Sequence, residues 1–171
     1  MAEEAPARSS AVAAELRLDE VVAMQYPRLI RVAALICREP ADAQDAVQAA
    51  LERAWRQLSS VRELDRLEAW LHRIVVRESI RTERRRRGLL GHWLRPVAEI
   101  AVDATPVDGD LDLRRALDGL SPEQRAALVL HYLVGYSVAD TAAISGTSLE
   151  TTRSRLRLAR ARMRAVMGVS R

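Results

Sequence analysis

The stretch SVADTAAISGTSLETTRSRLRLARARMRAVM, residues 137–167, decides the reading of the chain. Its left half, from Ser137 to Ile144, opens with a hydroxyl residue in the position that caps a helix N-terminus. Ser145-Gly146-Thr147 then interrupts it, and a second capped helix is predicted from Ser148 to Met167. Two helices around a tight glycine-containing turn form a helix-turn-helix. On the second helix Thr152, Leu156, Ala159 and Met163 share one face, while Arg153, Arg157, Arg160 and Arg164 make an adjacent stripe. Arg155 and Arg162 flank the other side. An apolar side for the domain and a broad basic side suit a recognition helix, whose first turns reach base edges. Those turns hold Ser148, Thr151, Arg153, Ser154, Arg155 and Arg157. Arginine bridges guanine O6 and N7, so these positions can specify as well as attract.

Upstream, Ser121-Pro122-Glu123-Gln124 is another start signal, with serine at the cap, proline at the first helical position and glutamine at the third. Helix is expected to resume at about Leu113, and no strand-like alternation occurs anywhere. The N-terminal half reads as three helices. The first runs from Leu18 to Cys37, with Pro27 expected to kink or divide it. The second runs from Pro40 to Leu58 along a stripe of Val47, Ala50, Leu51, Ala54 and Leu58. The third runs from Leu64 to Arg87, with Gly88 as its stop. The fold class expected is all-α, two small helical domains joined by a flexible linker. The boundaries are a disordered tail at 1–17, a first domain at 18–87, a linker at 88–111 and a second domain at 112–167.

Charge is unevenly spread although the net value is only +4. From Arg81 to Arg95 six arginines stand against Glu83 alone, and from Arg153 to the end seven arginines meet no acid. Between them, Pro96 to Asp112 carries five acids and no base. Such blocks mark two polyanion-facing stretches separated by an acidic connector. On the second helix Asp45, Gln48 and Glu52 form an acidic-polar strip, with Asp42 one turn earlier. The third helix sets Arg73, Arg77 and Arg81 at four-residue steps, a row able to follow a nucleic-acid backbone.

The acidic start without an apolar run predicts no secretory leader, and no run approaches the ~20 residues that span a bilayer. Membrane insertion is therefore not expected. The single cysteine, Cys37, excludes an internal disulfide and fits a reducing cytoplasm. His72, His92 and His131 are scattered, without metal-ligand spacing, and no phosphate loop or nucleophile motif occurs. Neither an enzyme nor a bound cofactor is expected.

The wording and order of the pieces narrow this further. Tyr26-Pro-Arg-Leu-Ile-Arg-Val-Ala, Ala41-Asp-Ala-Gln-Asp-Ala-Val-Gln, Arg53-Ala-Trp-Arg and Ala69-Trp-Leu-His-Arg-Ile resemble the first domain of ECF (extracytoplasmic function) sigma factors. Leu120-Ser-Pro-Glu-Gln-Arg-Ala-Ala-Leu-Val-Leu-His-Tyr-Leu and Thr152-Arg-Ser-Arg-Leu resemble their second. The resemblance implies sigma region 2 at 18–87 and region 4 at 112–167, with core RNA polymerase and promoter DNA as partners and an anti-sigma factor as regulator. It implies that Asp42, Asp45, Gln48 and Glu52 bind the basic clamp helices of the polymerase. It further implies that Ser59, Ser60, Val61 and Arg62, in the loop Ser59–Asp65, capture a flipped base of the −10 element. Arg73, Arg77 and Arg81 would hold the DNA backbone beside it, and the C-terminal helix would read the −35 element. The acidic linker would thread the polymerase's RNA path. A linker of about 24 residues stretches to roughly 80 Å at ~3.3–3.6 Å per residue. A spacer of about twenty base pairs spans roughly 68 Å at ~3.4 Å per step.

Some positions depart from the family pattern. Thr141, Ser145 and Thr152 stand where Ile, Leu and Val are usual, Arg77 where Asn is common, and Gln44 and Ala49 where acids are usual. Two other readings fit the residues: a stand-alone helix-turn-helix repressor with residues 1–87 as a dimerisation domain, and a polymerase-binding adaptor or sigma antagonist.

Overall fold

The structure, a computed structural model, describes residues 4–61, 64–90 and 116–167. Helix α1 spans Glu4–Cys37, α2 Pro40–Gln57 and α3 Leu67–Leu90. Short 3-10 turns at Leu58–Ser60 and Leu64–Arg66 lead from α2 into α3. A helical turn at 116–118 precedes α4, Pro122–Leu128, which runs on into a π-helical segment, Val129–Val134. Helices α5, Val138–Ser145, and α6, Leu149–Met167, complete the chain. Among the described residues no strand occurs.

Helices α1, α2 and α3 pack pairwise into a three-helix unit. Its core holds Leu18, Leu29, Ala33, Val47, Leu58, Leu67, Leu71 and Val75. The inner face of α2 is small, with Ala43, Ala46, Ala50 and Ala54 all buried, so its neighbours approach closely. Three expectations are corrected here. Residues 4–17 of the expected disordered tail are helical, since α1 begins at Glu4, and Pro27 does not divide α1. Leu18 and Leu29, on either side of the proline, are both fully buried in one core, so the helix is packed on both sides of it. Gly88 does not stop α3 either, since the helix continues to Leu90. The expected linker falls almost wholly outside the described residues.

The C-terminal unit does not stand apart from the N-terminal one. A second core joins Val32, Leu35, Ile36 and Val76 to Leu117, Leu120, Leu128, Leu130, Ile144, Leu156 and Ala159. Each large aliphatic side chain taken from water there contributes roughly 1.5–3 kcal/mol before the entropy of ordering is set against it. The all-α, two-domain architecture stands, with the domains seated on each other through α1 and α3.

Candidate nucleic-acid interface

The helix-turn-helix is built by local hydrogen bonds that its sequence specifies. Ser121 forms a reciprocal capping box with Gln124, at 3.2 Å and 3.0 Å, and so fixes the start of α4. The Ser137 hydroxyl accepts from the Asp140 N–H at 3.0 Å. Gly146 takes φ 65°, a left-handed conformation that glycine adopts without steric cost, and the Thr147 N–H returns to the Ala142 carbonyl at 3.0 Å. The Ser148 hydroxyl accepts from the Thr151 N–H at 3.1 Å and donates to the Thr151 hydroxyl at 2.8 Å. Ser148 and Thr151 are thereby engaged with each other at the head of α6.

On α6, Thr152, Leu156 and Ala159 are buried. Arg153 and Arg157 are exposed, and Ser154 and Arg155 are half-buried. None of Arg153, Arg155, Arg157 and Arg164 meets a carboxylate among the described residues. Arg160 donates to the Tyr132 hydroxyl at 3.2 Å. The polar replacements in the domain core are real: Thr141 and Thr152 are buried, and their hydroxyls, with that of Ser145, have no hydrogen-bond partner among the described residues.

The acidic strip of α2 divides. Asp45, Gln48 and Glu52 are exposed, with the Gln48 amide donating to Glu52 at 3.4 Å. Asp42 is half-buried and faces Arg86 at 3.7 Å; burial raises its pKa and Arg86 opposes the rise. Beside this strip Arg53 of α2 pairs with Glu78 of α3.

Of the loop residues, Ser59 is exposed, Ser60 lies in the first 3-10 turn, and Val61 packs on the N-terminal core. Arg62 lies outside the described residues. The arginine row of α3 is far from uniform. Arg73 has its Nε buried without a hydrogen-bond partner among the described residues, and Arg81 lies 3.8 Å from Glu78. The Arg77 guanidinium reaches the helix-turn-helix itself, 2.6 Å from where a Cβ on Gly146 would sit.

Sequence reasoning missed a set of polar contacts between α3 and the C-terminal unit. Glu83 is 1% exposed and accepts from Arg125 of α4, 0% exposed, at 2.9 Å. Burial lowers the Arg125 pKa to about 10, with Glu83 opposing, so the guanidinium stays cationic. His72 of α3 is hydrogen-bonded through Nδ1 to the Tyr136 hydroxyl at 2.9 Å, and burial, then Arg28, lowers its pKa to about 4. The signals were there to be read. Glu83 is the lone acid in an arginine run, and Arg125 interrupts an apolar stretch.

A capped helix-turn-helix whose basic helix meets no carboxylate among the described residues, seated on a three-helix unit with an exposed acidic strip, defines a two-domain helical transcription factor. Comparison with known proteins gives the family. Residues 21–88 match the family model Sigma-70 region 2, and residues 110–163 match Sigma-70, region 4. The ECF RNA polymerase sigma factor SigM of Mycobacterium tuberculosis is 37% identical over 150 residues, spanning 88% of this chain and 76% of that protein. The RNA polymerase sigma-E factor of Streptomyces coelicolor is 29% identical over 156 residues, 87% of this chain and 85% of that protein. Among solved structures, the sigma factor RpoE in complex with the anti-sigma factor NepR from Bartonella quintana superposes with TM-score 0.75 at 30% identity, covering 90% of this chain and 98% of that one. CnrH in complex with the cytosolic domain of CnrY gives 0.64 at 25% identity, covering 90% and 89%.

The chain belongs to the ECF RNA polymerase sigma factors. It acts in promoter-directed transcription initiation, in a family of non-enzymatic initiation factors. The match to both regions in one chain disfavours the stand-alone repressor.

Proposed function

We propose a division of labour among the surfaces of this sigma factor. Asp45, Gln48 and Glu52, with Asp42 positioned behind them, bind the clamp helices of core RNA polymerase. Ser59, Ser60, Val61 and Arg62 capture a flipped base of the −10 element, and Arg73, Arg77 and Arg81 hold the adjacent backbone. Ser148, Thr151, Arg153, Ser154, Arg155 and Arg157 face the −35 element in the major groove. Residues 18–87 act as region 2, 88–111 as the linker and 112–167 as region 4. The factor works in the cytoplasm, performs no catalysis of its own and is held in check by an anti-sigma factor, the kind of partner with which RpoE of Bartonella quintana is found in complex.

The observation that carries this reading is the state of α6, whose outward guanidiniums meet no carboxylate among the described residues. The test is transcription in vitro from fragmented genomic DNA with core polymerase and the purified chain, followed by mapping of start sites. Start sites sharing two spaced elements support the reading, and their absence sinks it. Asp45→Arg with Glu52→Arg should abolish co-purification with core polymerase while leaving helicity unchanged. Undiminished binding removes the α2 strip from the mechanism.

A further inference from the structure

The seam between α5 and α6 is polar where two short helices depend on apolar contact. Thr141 and Ser145, four residues apart, share one face of α5, and Thr152 lies on the inward face of α6 with Leu156 and Ala159. Thr141 is 0% exposed and Thr152 1%, while Ser145 is half-buried with its hydroxyl oxygen shielded from solvent. None of the three hydroxyls has a hydrogen-bond partner among the described residues. A threonine inside a helix can bond the carbonyl four residues back, and here neither threonine does so. Closing the seam therefore takes each hydroxyl from water without replacing its hydrogen bonds, which favours a looser arrangement.

Apolar packing does little to offset this at the end that reads DNA. The eight residues of α5 bury Ile144 as their one large aliphatic side chain. Of residues 149–155 in α6, Thr152 alone is buried, and Leu149 is 40% exposed. The next anchors, Leu156 and Ala159, lie a turn or more further along. The first two turns are thus held by the Ser148 cap, by helical bonds such as that from the Thr152 N–H to the Ser148 carbonyl at 3.0 Å, and by one threonine methyl group. Cap and backbone bonds keep these turns helical, but they do not fix them against α5.

Ser148, Thr151, Arg153, Ser154 and Arg155 all sit on this weakly held end. We propose that Thr141, Ser145 and Thr152 are positioning residues for −35 recognition: their hydroxyls keep the reading end of α6 in exchange between a seated and a loosened arrangement, and only the seated one fits the major groove. The inference rests on the assignment of α6 to the −35 element. Apparent affinity is then the affinity of the seated form scaled by the fraction of chains that hold it. Binding of the promoter and the joining of α5 to α6 become one event.

The test combines Thr141→Val, Ser145→Ala and Thr152→Val in the full chain, which removes three hydroxyls and leaves side-chain volume nearly unchanged. Amide hydrogen exchange, read by mass spectrometry, should be at least about ten-fold faster at residues 141–156 than in α2 of the same molecules, and should slow by about ten-fold in the triple variant. Holoenzyme carrying the variant should bind its preferred sequence in a library of −35 variants about ten-fold more tightly, because the seated fraction rises. The salt slope should not change, since no phosphate contact is altered. Added stability alone would leave the affinity of an already seated reader where it was. Thr152→Ser, which keeps the hydroxyl and loses the methyl group, should move exchange and affinity the other way. Wild-type exchange at residues 141–156 as slow as in α2, or a triple variant that exchanges no more slowly than wild type, overturns the loose seam. Slower exchange with unchanged affinity overturns the positioning role. If the −35 assignment itself fails, neither wild type nor variant discriminates among the library sequences, while the exchange results stand.

Discussion

Helix α3 sets Arg73, Arg77, Arg81 and Arg84 along one side, and α6 sets Arg153, Arg157, Arg160 and Arg164 along one of its own. By spacing and composition the two rows are alike. Their surroundings are opposite. Around α3 stand Glu78, Glu83 and Glu123, and the row is drawn into intramolecular contacts. Around α6 no acid approaches the outward guanidiniums among the described residues, and the one polar contact there is the Tyr132 hydroxyl. An arginine row therefore announces a polyanion only where the folded chain supplies no carboxylate of its own. Which row is neutralised depends on a near acid, Glu78, three positions from Arg81, and on a distant one, Glu123, 39 positions from Arg84.

The sharpest way to break this comparison is to remove the cation that α3 depends on. Arg125→Ala removes the fully buried cation from Glu83, leaving the more exposed Arg87 at 3.0 Å, and should cost up to about 3–5 kcal/mol in denaturant unfolding. A loss below about 1 kcal/mol would mean that the carboxylate is hydrated in solution and the pair is peripheral.

The engagement of α3 should also titrate. His72 is fully buried, and its pKa falls from 6.5 to about 4. The folded form keeps the ring neutral while the unfolded chain takes up a proton below pH 6.5, so the unfolded state binds more protons in that window. Stability is complete above about pH 6.5 and should fall by about 2–3 kcal/mol as pH drops towards 4. Nearby carboxylates titrate over the same range, so the measurement is the difference between wild type and His72→Gln in urea melts across the window. Parallel curves would remove the histidine from the interface energetics.

On α6 the contrast lies within one row. Arg153→Ala or Arg155→Ala should cost about 1–3 kcal/mol of holoenzyme binding and relax preference at particular −35 positions. Arg164→Ala should weaken all sequences equally and lower the salt slope by about one unit. A library of −35 variants measured at two salt concentrations separates them. Equal shifts for Arg153→Ala and Arg164→Ala would reverse the assigned orientation of the helix.

The smallest expected effect concerns the core beneath that row. The buried Thr152 hydroxyl has no partner among the described residues, so Thr152→Val should stabilise the chain by about 1 kcal/mol. A destabilised variant in thermal melts would show that the hydroxyl is satisfied in solution.

How much of this was legible depended on the range of the interaction. The Ser121 capping box, the Ser137 and Ser148 caps and the Gly146 turn are local events, and residues three or four apart specify them. The helices of the first domain followed from their apolar stripes. Their ends did not, because the burial of Leu18 and Leu29 overrides the break that Pro27 suggests. Asp42 reads as part of an exposed strip, yet Arg86, more than forty residues on, draws it inward. The seating of one domain on the other was hidden for the same reason. Glu83 and Arg125 lie on different helices separated by a long connector, and periodicity describes only the helix that carries it.

Cys37 adds a chemical consequence. Its sulfur is wholly buried, donates to the Ser79 carbonyl at 3.4 Å, and has a pKa pushed up to about 12 by burial, with Glu83, Asp42 and Arg125 among the charges around it. Alkylation requires a thiolate and a path for the reagent, and the intact molecule provides neither. Modification therefore proceeds only from molecules in which the N-terminal core has opened around Cys37, at a rate set by how often it does so. The lone sulfur acts as an internal clock. The half-time of its reaction with a small electrophile, read by mass spectrometry, counts the excursions of single chains and requires no added label.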